Sequence, residues 1–399
     1  MSNQSKNFLC ISTYYKGTDF LKSCKAEGNN VYLLTKKSFE NEPWPWEAID
    51  DVFYIEQWDH DNVVKGIAYQ FRKVKFDRFT ALDDFDVEKV ALLREHFRVP
   101  GMGRTTAHYF RDKLAMRMKA KSEGVNVPEF TSLFHNDDID EYVDRVQPPW
   151  LLKPRMEASA TGIKKVHSKE ELWQIIDVLE DERDNYLVEK FAPGDVYHVD
   201  GLNNNGKVVF SRASKYLDTP FEVAHGGGIF RSASCEVGLE DEKALQKMNA
   251  DVMKAFGMQF GASHTEFIKS KATGELFFLE TSSRVGGANL AEMVQAASNV
   301  NLWAEWARIE SAELRGETYK LPKITNKYAG IVVSLSRQEH PDTSSFNAPE
   351  IVWRMNKAWH IGLIVASNSS ERVLELLDEF SRKIAKEFHA SLPAPDKSE

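Results

Sequence analysis

The sequence predicts a multidomain protein that joins an α/β unit to α+β units, and three observations predict it. Short apolar runs alternate with helical patterns over the first quarter of the chain. Beyond that quarter the runs come in pairs separated by turn residues. At 399 residues the chain also exceeds one ordinary core, so two or three domains are expected.

The first domain, residues 1–105, is expected to be an open parallel sheet with covering helices. An apolar run at 8–12, a helical pattern at 18–26 closed by Gly28 and a second run at 31–35 make a βαβ start. Residues 51–56 supply a third strand, and 62–74 and 88–97 supply helices. The first βα turn reads Thr13-Tyr14-Tyr15-Lys16-Gly17, without the glycine fingerprint of a dinucleotide-binding fold.

Residues 106–187 read as a small α+β unit: a helix at 108–123, a strand at 150–153, a small-residue turn at 158–162, a return strand at 164–167 and a helix at 168–180. Ser168 and Glu171 have the spacing of a capping box. Residues 188–390 form the larger unit. A strand beginning at Tyr186 is interrupted at Pro193-Gly194 and resumes toward Val199, and residues 207–212 make another. A hairpin, one helix over about 290–313, strands at 327–335 and 360–366 and an amphipathic helix at 370–388 complete it. The tail, 391–399, is polar with two prolines and is expected to be disordered.

Composition narrows the function classes. Fifty-one basic against 60 acidic residues give a net charge of −9, so no nucleic-acid or anionic-membrane surface is expected. Cys10, Cys24 and Cys235 lie far apart, which supports neither a disulfide framework nor a zinc site. With a polar start and no long apolar run, the expected location is the cytoplasm.

The chemistry concentrates in residues 265–290. An Ala272-Thr273-Gly274 turn pairs Lys271 with Glu275, and counting back along both strands sets Glu266 opposite Glu280 with Cβ atoms about 5 Å apart. Opposed carboxylates repel unless a hard divalent cation neutralises them, which points to Mg²⁺ with a phosphate-bearing substrate, Mn²⁺ being the alternative ion. At period two, Ser282 and Arg284 fall on the Glu280 side, before Gly286-Gly287 lets the backbone turn. Upstream, Lys113 on its helix and Lys153 at the end of an apolar strand have the setting of phosphate binders. Ser159, Ala160, Thr161 and Gly162 beside Lys153 allow close approach of phosphate oxygens to the backbone.

Lys113 in its Arg-Asp-Lys context, Lys153, the run Glu189-Lys190-Phe191-Ala192, Asp195, Glu266 and residues 280–284 occur in the order of the ATP-grasp superfamily, which most of the chain resembles. The resemblance implies the ATP-grasp fold, with a parallel-sheet N-terminal domain, a small lid and a larger antiparallel catalytic domain. It implies that Lys113 and Lys153 hold ATP phosphates beneath a flap at 155–162 that includes Ser159 and Gly162. The backbone of Glu189, Lys190, Phe191 and Ala192 then meets adenine, and Asp195 takes the ribose. Glu266 and Glu280 bridge magnesium, with Ser282 standing where the family commonly has asparagine. Arg284 neutralises the substrate carboxylate, with Lys153 its partner in catalysis. The segment 219–231, read as a glycine-bearing loop, lies where related ligases line an acceptor pocket, so His225 and Arg231 are substrate candidates, and Gly287 beside Arg284 is another.

The activity so implied is ADP-forming joining of a small carboxylic acid, an amino acid among the candidates, to an amine through an acyl phosphate. ATP and Mg²⁺ are the cofactors, small molecules the partners, and a homodimer a further expectation. Two competing readings are a biotin-carboxylase-like enzyme, disfavoured because no biotinyl carrier segment occurs, and a non-catalytic ATP-binding regulator. ADP release that requires both an acid and an amine separates the ligase from the regulator.

Overall fold

The computed structural model describes residues 5–158 and 160–391, without the side chains of Ala224 and His225. Strands β1 (Asn7–Ser12), β2 (Asn30–Lys36), β3 (Asp51–Ile55) and β4 (Arg78–Ala81) form a parallel sheet in the order β3-β2-β1-β4. Central β1 is buried on both faces. Phe8 and Cys10 pack toward the helices Thr18–Ala26 and Leu302–Arg315, while Leu9 and Ile11 pack toward Val63, Ile67 and Val90. Strand β4 was not read from the sequence because it opens on a charged residue. Arg78 is nonetheless buried, its guanidinium paired with Glu310 at 3.1 Å and with Glu313.

Strands β5 (Phe130–Ser132), β6 (Trp150–Pro154), β7 (Lys164–Val166) and β8 (Tyr186–Lys190) make a small antiparallel sheet in the order β5-β8-β6-β7. The expected long strand from Tyr186 divides at Pro193-Gly194: β8 closes the small sheet, and β9 (Gly194–Asn204) opens the large one. A Cβ at Gly194 would stand 2.3 Å from the Lys269 carbonyl oxygen, so the crossing between sheets needs glycine.

The large sheet contains β9, β10 (Lys207–Tyr216), β11 (Phe230–Ser234), β12 (Gly261–Ser270), β13 (Leu276–Ser282), β14 (Tyr328–Ser336), β15 (Ile351–Arg354), β16 (His360–Ser367) and β17 (His389–Ala390). Its order is β13-β12-β9-β10-β11-β14-β16-β15, with β17 on β14. The C-terminal strands therefore continue this sheet. Three helical expectations need correction. The helix expected at 108–123 is two, Arg104–His108 and Lys113–Ser122, because the Asp112 carboxylate caps the second by accepting from the Ala115 N–H at 2.9 Å. The helix expected at 290–313 breaks into Leu290–Ser298 and Leu302–Arg315, where Asn299 takes a positive φ and Asn301 caps the second piece. The loop expected at 219–231 contains the helix Pro220–Gly226, opened by a Thr219–Glu222 capping box. Helix Glu240–Phe256 and strand β15 were not anticipated. Of the tail, residues 392–399 lie outside the described residues.

Candidate active site

The hairpin arrives at the expected carboxylate pair by a different path. Its turn is one residue longer than the sequence reading: Ser270 and Glu275 close it, with the Ser270 N–H donating to the Glu275 carbonyl at 2.8 Å, and Lys269 faces Leu276. That shift alone would take Glu266 off Glu280. A β-bulge at Leu279 inserts one residue between Phe278, opposite Phe267, and Glu280, opposite Glu266. The bulge is anchored because Arg117, buried on helix Lys113–Ser122, donates to the Leu279 carbonyl.

Around these carboxylates lies a cleft of about 750 Å³ between the small and large sheets, with Asp84 from the loop after β4 at its wall. Lys113, Lys153, Glu189, Lys190, Phe191, Ala192, Asp195, Glu266, Glu280, Ser282, Arg284 and Gly287 all line it. Because the helix starts afresh after Asp112, Lys113 stands in the first turn, and its Nζ lies 2.9 Å from Glu280 Oε2. Glu266 accepts a 2.7 Å hydrogen bond from the Tyr216 hydroxyl, and His264 Nε2 stands 3.6 Å from the same oxygen. Burial alone would raise the Glu266 carboxyl, but His264 and Tyr216 outweigh it and hold the group below its usual range.

Glu189 plays a part the sequence did not indicate. Its carboxylate is buried between Lys153, which pairs with Oε1, and Arg117, 2.9 Å from Oε2. Burial pushes this carboxyl up, yet the two cations prevail and bring it down to about 2. The N–H groups of Lys190 and Phe191 are bonded to the carbonyls of Glu129 and Pro149, at 2.7 and 3.1 Å, so neither is spare for an adenine edge. Lys190 Nζ is turned to the carbonyls of Gln147 and Pro148, while the Phe191 ring carries Lys165 Nζ 3.9 Å from its centroid. Asp195 is paired with Lys215 at 2.8 Å.

Two residues of the N-terminal half enter the site that sequence reasoning missed. Asp84, in the loop after β4, pairs with Arg111 and lies 3.8 Å from Arg284 Nε. Burial raises the Asp84 carboxyl, but Arg111, then Arg284 and a hydrogen bond from the Ser282 hydroxyl, bring it below its usual value. Ser282, opposite His264 on the hairpin, lines the cleft beside Glu280. A signal existed: ligands of parallel sheets bind beyond the carboxyl ends of the strands, but with β4 unread the Asp83-Asp84 pair had no strand to follow.

The remaining candidates divide. Gly162, at φ +69°, adjoins the cleft-lining Thr161 without lining the cleft itself. Arg231 does not reach the cleft, because Asp218 at 2.8 Å and Asp378 at 2.6 Å claim its guanidinium. Ser159 and the His225 side chain lie outside the described residues. Among the described residues no helix is long and apolar enough to cross a membrane.

The cleft offers paired carboxylates for a hard cation, two ammonium groups for phosphate oxygens and a guanidinium for an acid. Comparison with known proteins agrees. The ATP-grasp domain family matches residues 146–292. The L-arginine-specific L-amino acid ligase of Bacillus subtilis is 26% identical over 304 residues, covering 74% of this chain and 70% of that protein. A D-alanine–D-alanine ligase of Neisseria gonorrhoeae is 24% identical over 188 residues, 47% of this chain and 61% of that one. The solved L-amino acid ligase of Bacillus licheniformis shares the fold with a TM-score of 0.77 at 18% identity, covering 98% of this chain and 99% of that one. With its cleft, its motif order and these likenesses, the chain has the ATP-grasp fold, and its residues 146–292 match the ATP-grasp domain family.

Proposed function

We propose that this protein is an ADP-forming ligase that activates a small carboxylic acid with ATP and joins it to an amine, the acid being an amino acid. The observation that carries this reading is the facing of Glu266 and Glu280 in a cleft that also presents Lys113, Lys153 and Arg284. An amino-acid substrate is supported by the likeness to the L-amino acid ligase of Bacillus subtilis, which spans most of both chains.

The donor set fits magnesium. Glu266 and Glu280 are adjacent hard oxygen ligands, and a cation, the Lys113 ammonium, already rests on Glu280. Ser282 lines the same cleft beside them. Bound there, Mg²⁺ supplies charge neutralisation for the transferred phosphoryl group; Mn²⁺ takes the same ligands. Lys113 and Lys153 orient the phosphate oxygens, Lys153 being held in place by Glu189. Arg284 receives the acid. Its carboxylate oxygen attacks the γ-phosphorus, the bond to the β,γ-bridging oxygen breaks, and ADP leaves. The amine then attacks the acyl carbon, phosphate departs with the former carboxylate oxygen, and the amine proton passes to solvent or phosphate. Closure of the 155–162 flap over the cleft would protect the acyl phosphate from water.

The test is phosphate and ADP release with ATP, Mg²⁺ and a matrix of amino acids offered singly and in pairs. Release that needs both partners, with a dipeptide detected by mass spectrometry, supports the reading. ATP binding with no turnover in any mixture refutes it.

A further inference from the structure

Behind the carboxylate pair lies a layer of polar side chains that the proposed chemistry does not touch. His198 and Asp200 alternate along β9 on one face, and His264 and Glu266 face them across the β9–β12 ladder, with His264 opposite Asp200 and Glu266 opposite His198. Asp200 and His198 are 0% exposed. Both carboxylate oxygens of Asp200 are engaged: Oδ2 accepts from His198 Nδ1 at 2.7 Å and Oδ1 from His264 Nδ1 at 2.8 Å. The far nitrogen of His264 turns to Glu266, and that of His198 lies 2.8 Å from the Ser232 hydroxyl.

From the other side Gly286 comes down on the same pair. A Cβ at Gly286 would stand 2.7 Å from Asp200 Oδ1 and 2.9 Å from His264 Nδ1, so the backbone of the loop after β13 rests on the Asp200–His264 bond itself. That loop carries Arg284 two residues earlier and Gly287 one residue later.

We propose that Asp200 is a positioning residue that sets both halves of the site: through His264 it aims the metal-facing carboxylate of Glu266, and through Gly286 it seats the loop bearing Arg284. The inference rests on the ligase reading of the cleft. Its force is geometric. A carboxylate is the side chain of this size that accepts two N–H bonds at once, whereas an amide turns a donor toward one of the two imidazoles and leaves a buried clash of donors. A His–Asp–His trio is also a common metal-ligand set, but ligation needs nitrogen and oxygen about 2.0–2.2 Å from an ion, and here each Nδ1 is already spent on Asp200 while the outer nitrogens diverge.

Four variants test it: Asp200→Asn, Gly286→Ala, His264→Asn and His264→Gln. Asparagine at 264 keeps a donor near the Nδ1 position, toward Asp200; glutamine keeps one near Nε2, toward Glu266. ADP binding is followed by calorimetry across a Mn²⁺ or Mg²⁺ series, and ADP release across an acid series. Asp200→Asn is expected to raise both the metal half-saturation and the acid KM by roughly tenfold or more, the scale for losing a residue that orients a ligand. Gly286→Ala should raise the acid KM more than the metal half-saturation. His264→Asn should raise the metal requirement, and His264→Gln should restore most of it. If Asp200→Asn does not fold, the other three carry the test through the same split. Wild-type values for metal and acid in a folded Asp200→Asn, losses in all variants that follow only their melting temperatures, or a stoichiometric transition metal in the purified protein would each overturn the proposal. Metal-dependent ADP binding needs no turnover. A protein that never joins acid to amine therefore refutes the ligase reading while this readout still stands.

Discussion

Changing Glu189 to glutamine removes the one negative charge from a buried group of three, and the structure sets the size of the effect. The residue is 1% exposed, with Arg117 Nε and Nη2 at 3.0 and 2.9 Å from Oε2 and Lys153 on Oε1. Its carboxyl falls from 4.5 to about 2 on folding, which at ~1.4 kcal/mol per pKa unit is on the order of 3 kcal/mol of stability. Glutamine leaves two buried cations without a counter-charge, and breaking a buried ion pair from one side costs about 3–5 kcal/mol. Urea unfolding at neutral pH is thus expected to show Glu189→Gln less stable by about 3 kcal/mol at unchanged m. Because the carboxyl is lowered in the folded state, its contribution is complete above the unfolded value of 4.5 and drains as the pH falls toward about 2. The gap between wild type and variant should hold from pH 7 down to that value and have shrunk by more than half near about pH 3. Lys153→Ala should also cost much less in the Glu189→Gln background than in the wild type. A loss under about 1 kcal/mol, the scale of an exposed pair, or a gap that stays constant into acid, would refute the reasoning.

Further outcomes follow from the cleft. Glu266→Gln and Glu280→Gln should each fold normally and lose Mg²⁺-dependent ADP release by about 10²-fold or more, because a neutral amide is a poor ligand for a hard cation. Arg284→Lys should keep ATP affinity but lose turnover by roughly 10²-fold, since an ammonium cannot hold a carboxylate bidentately. With hydroxylamine replacing the amine, the wild type should yield a hydroxamate and Arg284→Lys far less. Asp84→Asn withdraws the shared anion of Arg111 and Arg284; the acid KM should rise by about tenfold, the worth of one hydrogen bond to a charge, while ATP binding stays the same. Each is checked by steady-state kinetics beside a binding titration.

Much of the fold could be read residue by residue. The helix Thr18–Ala26 and strands β1, β2, β6, β14 and β16 follow from local apolar periodicity and caps, which act over a few neighbours in the chain. The failures share a cause. Strand β4 begins on an arginine made tolerable by glutamates more than two hundred residues away, and the break before Lys113 depends on Asp112 preferring a cap, where it also holds Arg155. The facing of Glu266 and Glu280 was expected, but from a shorter turn; the longer turn and the Leu279 bulge offset each other, and the bulge rests on Arg117, a residue outside the hairpin.

By itself the sequence determined the chemical inventory: two glutamates at matched positions of a hairpin, two lysines in phosphate-binding settings and an arginine ahead of a glycine pair. These were legible because spacing along a strand or helix decides which side chains share a face. Tertiary structure alone decided which of these groups are free to act. It paired Lys153 with Glu189 and Lys113 with Glu280, drew Arg231 away to Asp218 and Asp378, and laid the Asp200–histidine layer beneath Glu266. The physical reason is that a buried charge must find its partner in space. The partner sits on another element, at a distance along the chain that no local pattern encodes.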